Sequence, residues 1–114
     1  MVSELTGLRG MKEFINVSDP ETHYSGYVPE GERWFIERVG VFNDVTDDTE
    51  CRIILETGGM SYPIVEFLNI TVDIWEMKDI KLWLFPNERL AFKWSGITAD
   101  DPLKMTWHGH RRNF

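Results

Sequence analysis

Along the last third of the chain, apolar and polar positions alternate one by one. "DIKLWLF" places Ile80, Leu82 and Leu84 on one face and Trp83 and Phe85 on the other. "ERLAFKWSG" sets Leu90, Phe92 and Trp94 against Arg89, Ala91 and Lys93, and "LKMTWHGH" sets Leu103, Met105 and Trp107 against Lys104, Thr106 and His108. A period of two is that of a half-buried strand. Earlier, "GERWFIERVGVFN" carries Trp34 and Ile36 on the apolar phase as far as Arg38, after which Val39 and Val41 take it over. A slip of one residue inside a strand predicts a β-bulge. "CRIILE" alternates Cys51, Ile53 and Leu55 with Arg52, Ile54 and Glu56, and the Thr57-Gly58-Gly59 triplet reads as a tight turn. Only the stretch 64–75 is ambiguous, and no segment sustains a helical apolar stripe. Short alternating runs between turns predict an all-β, antiparallel β-sandwich.

One local pattern occurs twice. "VPEGERWFIERVGVFN" (28–43) and "FPNERLAFKWSG" (85–96) each run from turn residues through Glu-Arg into an aromatic and aliphatic stretch that stops at Asn or Gly. Both read as strand starts that deliver large aromatics into the space between two sheets about 10 Å apart. Trp34, Ile36, Leu90, Phe92, Trp94, Leu103, Met105 and Trp107 are the expected core. Residues 1–27 follow another rule, with small polar residues, three glycines and no sustained alternation. They read as an N-terminal arm preceding a sandwich domain at 28–114, with residues 1–20 dispensable for folding; a first strand paired onto the sheet is the alternative.

Composition narrows the class. A chain of 114 residues suits one domain, and 42% apolar with 13% aromatic content is ample for one core. Net charge of −7, with scattered basic residues, argues against nucleic acid as a partner. The N-terminus lacks the pattern of a secretory signal, and no run reaches the ~20 apolar residues of a membrane-spanning helix. The chain is expected to be made in a cytoplasm and to have no membrane partner.

Candidate chemistry is sparse. Cys51 is the single cysteine and sits on an apolar phase, so it reads as a small buried hydrophobe. Asp44, Asp47, Asp48 and Glu50 crowd one turn without the spacing of a calcium loop, and they read as solvated, as do Asp100 and Asp101. His108 and His110 share a strand face at metal-ligand spacing but lack an evident third ligand, and His23 could join them only through the fold. They remain weak metal candidates, and no cofactor is expected. No nucleophile elbow or phosphate loop is present, so no catalytic residue is assigned and the protein is not expected to be an enzyme.

Two runs carry a family resemblance. Pro29, Gly31, Arg33, Trp34, Ile36 and Asn43 match a "P-x-G-x-R-W-x-I" strand start and its Asn end. Pro86, Arg89, Leu90, Trp94, Gly96, Thr98, Ala99, Asp101, Leu103 and Gly109 match a later "P-x-x-R-L-x-x-x-W-x-G-x-T-A-x-D-x-L" run. Over residues 28–110 the chain resembles small bacteriophage virion proteins with a jelly-roll-like sandwich; Asp100-Asp101-Pro102 departs from the Gly-Asp usual in that group. The resemblance implies a non-enzymatic role on a virion, as a capsid decoration (cement), fibre or collar protein. Its partners would be itself, as a homo-oligomer such as a trimer, and a major capsid or other virion protein. Leu5, Leu8, Met11, Phe14 and Ile15 of the arm, with outward Phe35, Trp83 and Phe85, are the expected shell or subunit contacts. A carbohydrate-binding module, or a receptor- or glycan-binding virion accessory protein, is the alternative. It predicts two or three exposed aromatics in a row beside polar groups.

Overall fold

The computed structural model describes residues 5–98 and 100–113, with side chains from Gly7 onward. Among these residues there are eight strands and no helix: β1 (Leu5–Ile15), β2 (Glu21–Tyr24), β3 (Glu32–Asn43), β4 (Thr49–Thr57), β5 (Met60–Ile70), β6 (Glu76–Leu84), β7 (Arg89–Ser95) and β8 (Pro102–Asn113). They form two four-stranded antiparallel sheets in the orders β1-β8-β3-β6 and β2-β7-β4-β5. This strand order is that of a jelly roll.

The core lies between the sheets. Ile36, Leu90, Phe92, Trp94, Leu103, Met105 and Trp107 are buried there with Val39, Val41, Cys51, Ile53 and Phe67, while Trp34 packs half-buried at its margin. The alternation of β7 and β8 thus separates core face from outer face, although Ala91 and Thr106 on the outer phase are covered by neighbouring groups and are buried as well. Cys51 is buried, and burial pushes its thiol pKa up. Pro63 falls in β5, an edge strand, where its missing N–H does little harm.

The two echoing segments form β3 and β7, each interior to its own sheet. Their turns meet: the Val28 amide donates to the Glu88 carbonyl at 2.9 Å, and the Asn87 amide donates to the Val28 carbonyl at 3.0 Å. Asn87 reaches this geometry with φ of 67°, a left-handed conformation that Asn tolerates. The repeated design thus starts one inner strand of each sheet from a shared, cross-bonded corner.

The expected arm at 1–27 is corrected by β1 and β2. β1 pairs with β8 along its whole length, from Leu5 opposite Arg112 to Ile15 opposite Pro102, and β2 pairs with β7. Residues 5–24 thus belong to the sandwich, and the first-strand alternative is the one observed. Leu8 and Phe14 turn inward against the core, whereas Met11 and Ile15 face out. Phe14 stacks on His23 of β2 at 3.4 Å between ring centroids and meets Trp94 edge-on at 6.1 Å, closing the gap between the two sheets at their β1 and β2 edges.

The bulge expected near Arg38 is present. Ile36 lies opposite Gly109 and Arg38 opposite His108, leaving Glu37 as the extra residue. Here β3 and β8 come so close that a Cβ on Gly109 would stand 1.8 Å from the Phe35 carbonyl oxygen.

Two stability tests follow from this packing. Trp94→Ala is expected to cost about 3–5 kcal/mol in urea unfolding, as truncation of a fully buried aromatic does; a loss below about 1 kcal/mol contradicts the core assignment. Gly109→Ala has backbone, not a movable side chain, in its way. It is expected to cost at least about 2 kcal/mol, in contrast to a near-neutral Gly7→Ala, where the same atom meets open space.

Candidate functional site

The outer face of the β1-β8-β3-β6 sheet gathers most of the chemistry. Successive outward residues of β8 are Lys104, Thr106, His108, His110 and Arg112. Glu13, Met11, Arg9 and Gly7 of β1 stand opposite the first four in turn. A β-bulge turns two consecutive side chains to one side, so Glu37 and Arg38 both reach this face. Asp79 lies across from Arg38 on β6, at 2.9 Å from its guanidinium.

The result is a groove of about 840 Å³ whose charged lining is Arg9, Arg38, Lys81, Glu37 and Asp79, with His108 and His110. A smaller hollow of about 360 Å³ shares Arg9 and His108 and continues over Met11, Met77 and Trp75. Trp75 is 38% exposed, and its indole is set by a tilted contact with Phe42 at 5.3 Å. The lack of a side chain on Gly40 leaves the floor open to Met77, whose sulfur occupies the place a Cβ would take.

His108 and His110 do share a face, as their spacing requires, but each has its own partner. His110 pairs with Glu37 at 2.6 Å. His108 Nε2 lies 2.8 Å from Thr106 Oγ1, and that hydroxyl donates its single proton to the Gly10 carbonyl at 2.7 Å. The hydroxyl can then only accept from the ring, so neutral His108 carries its proton on Nε2 and leaves Nδ1 to be protonated. Burial, with the positive charges of Arg9 and Arg38, holds its pKa below the ordinary histidine value. His23 stands elsewhere, against Phe14 and 3.0 Å from Glu21. The three histidines do not converge, and among the described residues no cluster of three His, Cys, Asp or Glu side chains is placed to hold a metal ion.

Above the groove, Phe35 and Trp83 meet at 5.0 Å with planes tilted by 47°. Arg112 lies over the Trp83 ring, and Arg33 over Phe85, which is itself 44% exposed. The outward aromatics named from sequence are thus together on one face. Of the remaining expected contacts, Leu8 and Phe14 are committed to the sandwich interior, and the side chain of Leu5 lies outside the described residues, as does Ala99 of the sequence motif.

Sequence reading missed two features. The Arg89 guanidinium lies over the rings of both Tyr24 and Tyr27, at 3.6 and 4.4 Å from their centroids, while Glu56 accepts from it at 2.8 Å. Asp101, read as solvated, is 2% exposed; its carboxylate accepts from the Thr98 amide at 3.0 Å and from Thr46 Oγ1 at 2.5 Å. It ties the β7–β8 turn to the β3–β4 turn. Seven of the eight aspartates lie in the four loops β1–β2, β3–β4, β5–β6 and β7–β8. Backbone bonds such as Asn16 to Asp101 and Asp73 to Asn43, both 2.9 Å, draw these loops into one acidic end. There a hydrogen bond with Asp44 raises the Asp73 carboxyl pKa.

No family model matches the chain, and no curated protein matches its sequence. Its fold does match solved structures. A chain of infectious bursal disease virus, Gx strain, superposes with a TM-score of 0.56 at 7% identity, over 99% of this chain and 32% of that one. The VP2 subviral particle of infectious bursal disease virus gives 0.50 at 11% identity, over 98% of this chain and 33% of the other. The NLP core of Drosophila aligns over 96% of this chain and 98% of that one at 17% identity, with a TM-score of 0.47. This chain spans about a third of the length of the viral chains it resembles. At these identities the likeness establishes a jelly-roll fold shared with viral capsid proteins.

The depressed His108 pKa carries a sign. The unfolded chain takes up a proton at this ring before the folded protein does, so stability falls as pH drops below about 6.5. His108→Gln keeps a donor for Thr106 without the titration. Its urea midpoint is expected to fall less than that of the parent between pH 7.5 and 5.5; equal falls contradict the assignment.

Proposed function

We propose that this protein is a non-enzymatic structural component of a virion, acting as a decoration (cement) protein on the outside of a bacteriophage capsid and associating with copies of itself. The observation that carries this reading is the outer face of a complete jelly roll bearing exposed Met11, Trp83 and Phe85 beside half-buried Phe35. Exposed aromatic and thioether groups with arginines over two of the rings have the composition of a protein–protein interface core. The motif resemblance and the fold shared with viral capsid chains point the same way. Exposed Trp83 and Phe85 beside Arg112 and Arg33 also meet what the carbohydrate-module alternative predicts; the motif resemblance is what favours reading the strip as a subunit or shell contact.

Light scattering on the purified protein tests self-association. The expected result is a stable oligomer of trimer size that Trp83→Lys converts to monomer without loss of folding. A parent protein that stays monomeric at every concentration, and that sediments without empty capsids of its phage when mixed with them, overturns the proposal.

A further inference from the structure

The groove on the outer face is not explained by self-association or shell attachment. Three permanent cations, Arg9, Arg38 and Lys81, line it beside His108 and His110, against the two carboxylates Glu37 and Asp79. In a chain of net charge −7 this is a local reversal of sign. The carboxylates are engaged, Asp79 with Arg38 at 2.9 Å and Glu37 with His110 at 2.6 Å. Arg9 and Lys81 therefore set the sign at the two rims, on β1 and β6, while His108 lies at the floor on β8. One step along the sheet the lining turns apolar, with the half-exposed indole of Trp75 between Met11 and Met77. Cations beside an accessible indole suit a ligand with an anionic group on a ring whose C–H face can lie on the aromatic.

We propose that this groove binds a saccharide carrying a carboxylate, with the carboxylate held between Arg9, His108 and Lys81 and the sugar ring resting on Trp75. The two hollows, about 840 and 360 Å³ with Arg9 and His108 in common, have room for more than one sugar residue, of which the hexuronic acid is the one that meets the cations. Binding draws a proton onto Nδ1 of His108, because an anion offsets the repulsion that Arg9 and Arg38 exert on the charged ring. The charged and titratable groups that line the groove with His108 are Arg9 of β1, Arg38 and Glu37 of β3, His110 of β8, and Asp79 and Lys81 of β6. The inference stands independently of the virion reading.

The experiment is titration of the full chain with sodium glucuronate, with glucose and sodium sulfate as the other probes, followed by calorimetry and by the NMR resonances of His108 and Trp75. The expected result is saturable glucuronate binding that shifts both residues, tightens as pH falls from 7.5 to 5.5, and raises the His108 pKa. The doubly substituted Arg9→Gln, Lys81→Gln protein is expected to bind about a hundredfold or more weakly, since each of the two lost charged hydrogen bonds is worth about tenfold or more. Trp75→Ala is expected to weaken glucuronate but not sulfate. No saturable shift with glucuronate overturns the proposal, as does equal binding of glucose. Sulfate binding as tightly as glucuronate, with Trp75→Ala without effect, overturns the saccharide assignment and leaves a plain anion site. Both rim residues are on the surface, and the parent far-UV spectrum in the double variant separates lost binding from lost fold.

Discussion

Everything on the functional face depends on how closely β3 and β8 approach at Gly109. With no Cβ, Gly109 lets the Phe35 carbonyl sit where a side chain would stand, and β3 takes up one extra residue, Glu37, to stay in register on either side. The bulge has two consequences. It restores Val39 and Val41 to the core after Ile36, so the interior stays filled along a twelve-residue strand. It also throws Glu37 and Arg38 onto the same outer surface as His108 and His110. A regular strand would have sent one of that pair inward, at the cost of burying a charge.

The sheet then distributes polarity by position. β8 is paired on both sides, by β1 and by β3, and its outward residues run down the middle of the face. Cations from β1 and β6 stand at the two margins, and the acidic loops are gathered at one end. The molecule is thus acidic overall yet basic where the groove is. The aromatic strip and the groove adjoin on this one surface and share Phe35, while Met11 lines the smaller apolar hollow.

Much of the sandwich was legible from spacing. Alternation alone marks the inward sets of β7 and β8, and the slip between Ile36 and Val39 marks the bulge. β1 was not, and the reason is physical. Its inward positions are Leu8, Gly10, Lys12 and Phe14, and Gly10 is small because the Trp107 ring lies where its Cβ would be. A strand that receives a neighbour's indole instead of supplying its own apolar group leaves no alternation to read. β2 has only four residues, too few to establish a period. The pairing of His108 and His110 on one face was visible, but Arg9, Arg38, Lys81 and Trp75 reach the groove from three other parts of the chain, and only tertiary pairing brings them together. The role of Asp101 is not legible from sequence, because nothing local distinguishes a carboxylate that ties two turns together from one that faces water.

The register around the bulge is read by backbone NOEs in the labelled protein. Cross-strand contacts are expected between Ile36 and Gly109 and between Arg38 and His108, with Glu37 left without an opposite partner. Contacts placing Glu37 opposite His108 and Arg38 opposite Trp107 would mean an unbulged strand, and would contradict both the groove and the face on which it rests.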